Sequence, residues 1–533
     1  LKCLLVKLRA VTGVLMAAAF VAAAALFAVA CSATVVAESE SPACGLAVVG
    51  AGAGGAYAAW RAAAASQANL EPICVFELAA RPGGRIHSIR GQGPLHDLVV
   101  EAGAYRFAPH EVVSHMANGT WRIKTPITAA AIKELGLHSS VYNPDPSQWD
   151  HGMHKIVDDH GNDAGYLTFV ERMLESAQAK GARVRYNASV ASLVSPGPGG
   201  SKLALRLASG EVVSAGTVLL NMPQQPLLEL LRRSSPSVAD QFPRPLYTPA
   251  SYPIMKLYVH YDDAWWRNDL NLTSGPFFNS EPLPSDPMLR MSGVPRQQPA
   301  PLQGQYHDGD VRCDGPGGRC RGYLQAFYGG DSAHDGAIGG AIKFYSPFVD
   351  SVSGDSAVHL SPSRRQDREL LAAIHASLVD FHRAALDKIN ATERVARMPP
   401  TSGVMSIWSQ GVRGIHAGCH SPKPGNNPAP EDVPRLALQP LEGLPVFVAN
   451  EAYGPMHCFA EASLAMAEAA VRELNIGTPR WLHQGTLGAE PLSFEAVGGS
   501  QRPPTDPFLL QAAAAPSMRS ARSAVERTDI TVI

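Results

Sequence analysis

The 533-residue chain has little that would mark it for a polyelectrolyte partner or for a metal. Only 17% of its residues are charged, and the formal net charge is −2. No basic stripe and no basic face interleaved with aromatics is present, which argues against nucleic acid as a partner. Neither C-x2-C nor H-E-x-x-H occurs, so the cysteines and histidines show no metal-ligand spacing. The composition is 45% hydrophobic and biased toward Ala, Gly and Pro. That is enough apolar material for a large core, and the length suits two or three domains.

One long uncharged run stands at the front. "LKCLLVKLRAVTGVLMAAAFVAAAALFAVACSATVVAES" opens with Lys2, Lys7 and Arg9, then carries no charge from Val11 to Ala37. Positive charge, apolar run and small residues, in that order, form the layout of a secretory signal, and Ala33 or Ala37 offers the small residue before a cleavage point. The run is also long enough to cross a bilayer. Residues 1–37 therefore read as a signal peptide or, if uncleaved, a membrane anchor. Four Asn-x-Ser/Thr sequons, at Asn118, Asn187, Asn271 and Asn390, agree with a secreted glycoprotein. Cys313 and Cys320 flank the turn-rich "DGPGGR" and can close a small disulfide loop, whereas pairing among Cys44, Cys74, Cys419 and Cys458 is not readable.

The strongest signal is "CGLAVVGAGAGGAYAAWRAAAASQANLEPICVFELAARPGGRIHS", residues 44–88. An apolar strand over Gly45–Val49 runs into Gly50-x-Gly52-x-x-Gly55 and an Ala-rich helix. A second strand, Ile73–Phe76, ends at Glu77, 22 residues past Gly55. Glycines allow the tight turn and let backbone approach a pyrophosphate seated on the helix N-terminus; the acid is placed to accept hydrogen bonds from a ribose hydroxyl. That much leaves NAD and FAD both open. Directly after Glu77 come Arg81, Gly83, Gly84 and Arg85. This E-x-x-x-R-x-G-G-R run resembles the flavin-dependent amine oxidase superfamily. The resemblance implies FAD, with Arg81, Gly84 and Arg85 along its diphosphate and ribityl region.

The resemblance continues in blocks over roughly residues 44–475. Residues 165–223 read helix, strand, turn, strand, turn, strand, and family members contact the adenine through the backbone at the position of Val190. "LPVFVANEAYGPMHCFAEASLAMAEAAVREL", residues 444–474, is similar to the C-terminal signature of amine and L-amino acid oxidases. There the acid matching Glu451 binds the ribityl chain, and the helix start matching Phe459 and Ala460 points its N–H groups at the flavin. Asn450 departs from the usual Gly, and Cys458-Phe459 from Gly-Trp; a side chain at Cys458 would narrow the substrate cavity. The expected fold is α/β, a Rossmann-like FAD domain built from discontinuous segments with a mixed α+β substrate domain. Residues 44–110, 165–249 and 441–475 form the first, and 250–440 the second, with a helical substrate or lid region over 111–164. A helix is predicted over 364–386, a Pro- and Gly-rich loop over 280–322 and a disordered tail over 483–533.

The remaining candidates concern chemistry. "ASYPIMKLYVHYDDAWW" sets Lys256 alone in an apolar strand, with Trp265 and Trp266 after it. This resembles the family lysine that holds a water against the flavin and assists its oxidation by oxygen. "WSQGVRGIHAGCHSPKPG", residues 408–425, is similar to a loop of these oxidases, keeping Gly418, His420, Pro424 and Gly425 and contributing Trp408. A cysteine in a similar loop carries the flavin covalently in monoamine oxidases, so Cys419 is a covalent link, a free thiol or half of a disulfide. Finally, "VVEAGAYRFAPH" holds Arg106 among apolar residues, next to Tyr105 and with Glu101 as the acid within the stretch. In L-amino acid oxidases an arginine at the matching place clamps the substrate carboxylate, as a guanidinium fork suits. The alternative is an arginine paired internally, for example with Glu101 or a flavin phosphate. Together these readings imply a secreted FAD-dependent L-amino acid oxidase that takes oxygen as acceptor and releases peroxide. A polyamine or monoamine oxidase, or a flavoprotein without turnover, remains the alternative.

Overall fold

A computed structural model describes residues 43–485, apart from 92, 117–118, 149, 195–202, 240–243, 280–298, 316, 331–341, 343, 349–356, 409–417 and 423–427. The N-terminal segment 1–37, the sequon at Asn118, Pro424, Gly425 and the tail from 486 onward lie outside the described residues.

Strand β1 (Cys44–Val49) ends at the glycine turn, and helix α1 (Ala53–Ala65) follows it. Alanine is the strongest helix former, and its short side chain lets a helix lie close to a sheet. Almost all of α1 is accordingly buried. β2 (Ile73–Phe76) pairs parallel to β1, as a strand–helix–strand crossover requires. After α2 (Leu167–Ala179) the chain adds β3 (Arg183–Arg185), β4 (Val190–Val194), β5 (Leu203–Leu207) and β6 (Val212–Leu220). The first strand expected in this stretch is thus two short ones, parted at Asn187, whose φ of 53° turns the chain. The sheet runs β4-β5-β6-β1-β2-β3, and the strand Val446–Val448 pairs parallel to β6. A strand about 400 positions downstream therefore shares a sheet with β1, which leads into the first glycine turn.

The second layer is a seven-stranded antiparallel sheet centred on β7 (Ile254–Tyr261). All eight residues of β7 are buried: β8 (Cys320–Gly330) and β9 (Ser402–Trp408) flank it, and its side chains meet apolar clusters on both faces. Helix α3 (Arg365–Lys388) covers this sheet, burying Leu370, Leu371, Ile374 and Leu378 at three- and four-residue spacing. The short strands Gln303–Gln305 and Val311–Cys313 occupy part of the stretch expected as loop. Trp265 and Trp266 are buried in the core of this sheet.

Two other expectations change. Residues 111–164 are not chiefly helical. They form two hairpins, Val112–Met116 with Gly119–Ile123 and His138–Val141 with His154–Val157, around one nine-residue helix, Pro126–Glu134. The alternation of buried Val112 and exposed Val113 is a strand pattern. Residues 483–485 belong to a helix, Arg480–Gly485, held by buried Leu482. Helix α4 (Ala460–Glu473) then packs on α1, where Glu468 takes the Tyr57 hydroxyl at 2.9 Å and pairs with buried Arg61 at 3.3 Å.

Three disulfides join the six cysteines in the described residues. Cys313–Cys320 closes the expected loop, Cys44–Cys74 links β1 to β2, and Cys419–Cys458 ties two distant segments together.

The glycine turn yields a test that separates fold from ligand. A Cβ on Gly55 would lie 2.0 Å from the Gly50 carbonyl oxygen, so that site has no room for one. At Gly52 the nearest atom is the Asn221 amide at 3.1 Å, and the backbone there is extended. Gly55→Val should therefore lower stability by on the order of 3 kcal/mol, whereas Gly52→Val should fold with a melting temperature close to that of the unsubstituted protein. Thermal denaturation of the two variants checks the difference.

Candidate active site

A cavity of about 440 Å³ is walled by both sheets. From the first come Gly50, Gly52, Glu77 and Val190, with Arg81, Gly84 and Arg85 from the loop after β2. The second contributes Ile254, Lys256, Tyr328 and Trp408. Tyr105, Arg106, Cys419, Glu451, Cys458, Phe459 and Ala460 complete the wall. Of the described residues singled out from the sequence for this site, Gly55, Glu101, Trp265, Trp266 and His420 are not on this surface; Gly55 supports the turn from beneath.

The nucleotide end can be built residue by residue. Gly52 caps α1 without any side-chain hydrogen bond, which leaves the positive end of that helix to whatever occupies the cavity. Beside it Gly84 takes φ 56°, and a Cβ there would meet only the Gly52 Cα at 3.8 Å. Glu77 receives the Ala51 N–H at 2.7 Å on one oxygen and the Ala79 N–H at 2.8 Å on the other. A carboxylate has about four acceptor sites, so two stay available for a diol. Burial pushes the Glu77 carboxyl above its ordinary range, against the pull of these N–H groups and of Arg81. A second uncapped helix start, α4 at Phe459, meets the same cavity. Two helix N-termini, two arginines and an acid at the end of β2 suit a dinucleotide with a charged diphosphate. These residues fit FAD.

Glu451, expected at the ribityl chain, lines the cavity and is itself held by several donors. Its Oε1 accepts the backbone N–H groups of Cys458 at 2.8 Å and His420 at 3.1 Å. Its Oε2 accepts Arg85 Nη1 at 2.7 Å and lies 2.8 Å from His420 Nδ1. Glu451 thus acts as a tie between three segments at the cavity wall. Against the cost of burial, Arg85 and His420 hold its carboxyl well below the usual range. Asn450, the departure from Gly, caps the following turn by accepting the Ala452 N–H at 2.9 Å.

Arg106 is paired within the protein, as the alternative reading had it, with Asp150 in the place suggested for Glu101. Its Nη1 lies 2.6 Å from Asp150 Oδ2 with both side chains buried. Asn143 donates to the other Asp150 oxygen at 2.7 Å, and His307 Nε2 lies 3.5 Å from Oδ2. Burial alone would raise the Asp150 carboxyl; His307 and Arg106 bring it down to about 2. Glu101 faces the other way, accepting from the Ser88 hydroxyl and the Tyr166 N–H, and burial raises it to about 8. Its carbonyl takes Lys256 Nζ at 3.0 Å. Lys256 also sits 3.5 Å from the centre of the Tyr105 ring, and burial lowers it to about 8. The Trp408 indole N–H is anchored on the Ala102 carbonyl at 2.8 Å.

Cys419 is bonded to Cys458, so it has no thiol for a covalent flavin link. Tyr328 and Asp150 were not foreseen. Tyr328 reaches the cavity because β8 sets it opposite Lys256, and Asp150 reaches Arg106 across 44 residues. No local pattern announces either contact.

Comparison with known proteins agrees with this geometry. Residues 48–119 match the model of an NAD(P)-binding Rossmann-like domain, and residues 151–334 match that of the flavin containing amine oxidoreductases. A search of curated proteins finds no match. With a dinucleotide turn, a second Gly-Gly-Arg loop and a lysine-bearing sheet closing on one cavity, the chain belongs to the flavin amine oxidase superfamily and takes FAD as its cofactor.

Proposed function

We propose that the protein is an exported L-amino acid oxidase. The observation that carries this reading is Arg106, whose guanidinium lines the cavity while Asp150 pins it. Asn143 and His307 hold Asp150 in turn, so the fork is fixed in one orientation before any substrate arrives. Preorganised donors of this kind favour a planar carboxylate. When bound, FAD supplies the hydride acceptor for the carbon bearing the amine and returns the electrons to oxygen, giving a 2-oxo acid, ammonia and hydrogen peroxide. The chain's own residues orient and shield. Arg106 holds the carboxylate; Tyr105, Tyr328 and Trp408 keep water from the reacting carbon. Lys256, lowered by burial, exchanges a proton or holds a water at the cavity wall.

The same ion pair favours a second reading. Asp150 already gives Arg106 a carboxylate, and a polyamine or monoamine would need no further one.

Export is supported by the three disulfides, which persist in oxidising compartments. It is also supported by Asn187, Asn271 and Asn390, each an exposed sequon asparagine in left-handed backbone.

Arg106→Met should reduce kcat/KM for L-amino acids by roughly 30- to several-thousand-fold, the worth of a desolvated charge contact of about 2–5 kcal/mol. Because that variant strands Asp150, the double substitution Arg106→Met/Asp150→Asn should show the same loss with the fold and FAD intact. Turnover of amines but of no amino acid by the unsubstituted protein would establish the second reading instead. For Lys256→Met, stopped-flow traces should show slow reoxidation by oxygen and nearly normal anaerobic reduction; equal slowing of both half-reactions would remove the lysine's assigned role. For export, expression in a eukaryotic secretory host should give medium-borne protein that begins after Ala33 or Ala37 and shifts in mass on deglycosylation. An intact N-terminus without glycans would refute it.

A further inference from the structure

Two half-cystines, each next to a histidine in sequence, form one part of the cavity wall. Cys419 pairs with Tyr252 in the ladder between Pro249–Tyr252 and Cys419–Pro422. Cys458 stands two residues before α4 with φ 66°, a left-handed conformation unusual for a side-chain-bearing residue. The disulfide between them lines the cavity and belongs to the apolar cluster that includes Tyr105, Ile254 and Tyr328. Each half-cystine has a histidine beside it in sequence, His420 and His457. Among the described residues, the solvent-shielded His420 Nε2 and His457 Nδ1 find no hydrogen-bond partner. The Tyr252 hydroxyl lies 2.7 Å from Cys458 Sγ. The other two disulfides neither line the cavity nor have a neighbouring histidine. A disulfide that only stapled the fold would need none of these features.

We propose that Cys419–Cys458 is a second redox centre, exchanging two electrons with the flavin of the same cavity and with small disulfides or thiols from solution. The proposal rests on the assignment of FAD to the cavity. In the reductive direction the S–S bond breaks as two electrons arrive from reduced flavin. One proton comes with them from the flavin, and Tyr252 delivers the other to Cys458 Sγ, to be replaced from water. The products are oxidised flavin and two thiols. A small disulfide, RSSR, then restores the bond by two exchange steps and leaves as two RSH. Thiolate is the attacking form in such exchange, and the imidazoles next to the half-cystines in sequence are candidate proton acceptors. The enzyme would thereby pass substrate electrons to a disulfide as well as to oxygen.

The test counts thiols. Holoprotein is photoreduced without oxygen until the flavin bleaches, then treated with iodoacetamide and digested for mass spectrometry. Alkylation is expected at Cys419 and Cys458 and at none of Cys44, Cys74, Cys313 and Cys320, with two electrons consumed beyond those that bleach the flavin. Apoprotein under the same light should stay unalkylated; its labelling would overturn the link to flavin. In glutathione buffers of graded potential, native apoprotein should show the same pair titrating alone. A bleached flavin with both cysteines still oxidised overturns the proposal and leaves the FAD assignment standing. A protein that binds no FAD overturns that assignment, and a pair left oxidised by glutathione then overturns the redox centre on its own. Tyr252→Phe should slow the appearance of thiols relative to flavin bleaching without changing their final number.

Discussion

The carboxylate of Glu451 is where the cavity is held together. Its two oxygens take donors from the Gly-Gly-Arg loop through Arg85, from the segment at His420 and from the turn at Cys458. Those segments lie more than 300 residues apart at their extremes, and none would be positioned by local forces alone. A buried carboxylate left without donors is costly, while one that accepts several charge-assisted bonds is stable as an anion. Every donor that Glu451 satisfies therefore also fixes one stretch of cavity wall. The Cys419–Cys458 bond repeats that tie covalently between two of the same segments.

A second set of buried charges shapes what the cavity can take. Arg106 and Asp150 neutralise each other, and Lys256 and Glu101 are each driven toward neutrality by burial. The wall therefore carries strong donors whose charge is partly met within the protein. Such a surface can orient a substrate carboxylate without requiring one. Discrimination between an amino acid and a bare amine then depends on how well the Arg106 fork is matched, because attraction between opposite charges has already been used within the protein.

Much of this was legible in the chain. Gly50, Gly52, Glu77 and the Arg81–Arg85 loop act through backbone geometry within one strand–turn–helix–strand unit, so their spacing carries their meaning. Lys256 and Arg106 stood out because a cation in an apolar stretch calls for a partner. The identity of those partners was not legible. Arg106 had Glu101 close in sequence, yet β-strand geometry turns Glu101 toward Ser88 and Tyr166 and leaves its carbonyl for Lys256. The lid region misled for a similar reason, since short hairpins and short helices share apolar residues and differ mainly in their period.

By itself the sequence determined the dinucleotide turn, the Arg81–Arg85 loop and the presence of buried cations, all of which depend on neighbours within about thirty residues. Only the tertiary structure decided that Asp150 answers Arg106, that Glu451 serves the protein's own donors, and that Cys419 bonds to Cys458. The reason is physical: a chain pattern reports periodicity and conformational preference, but a carboxylate or a thiol can be satisfied by any group that folding brings within about 3 Å, however far along the chain that group lies.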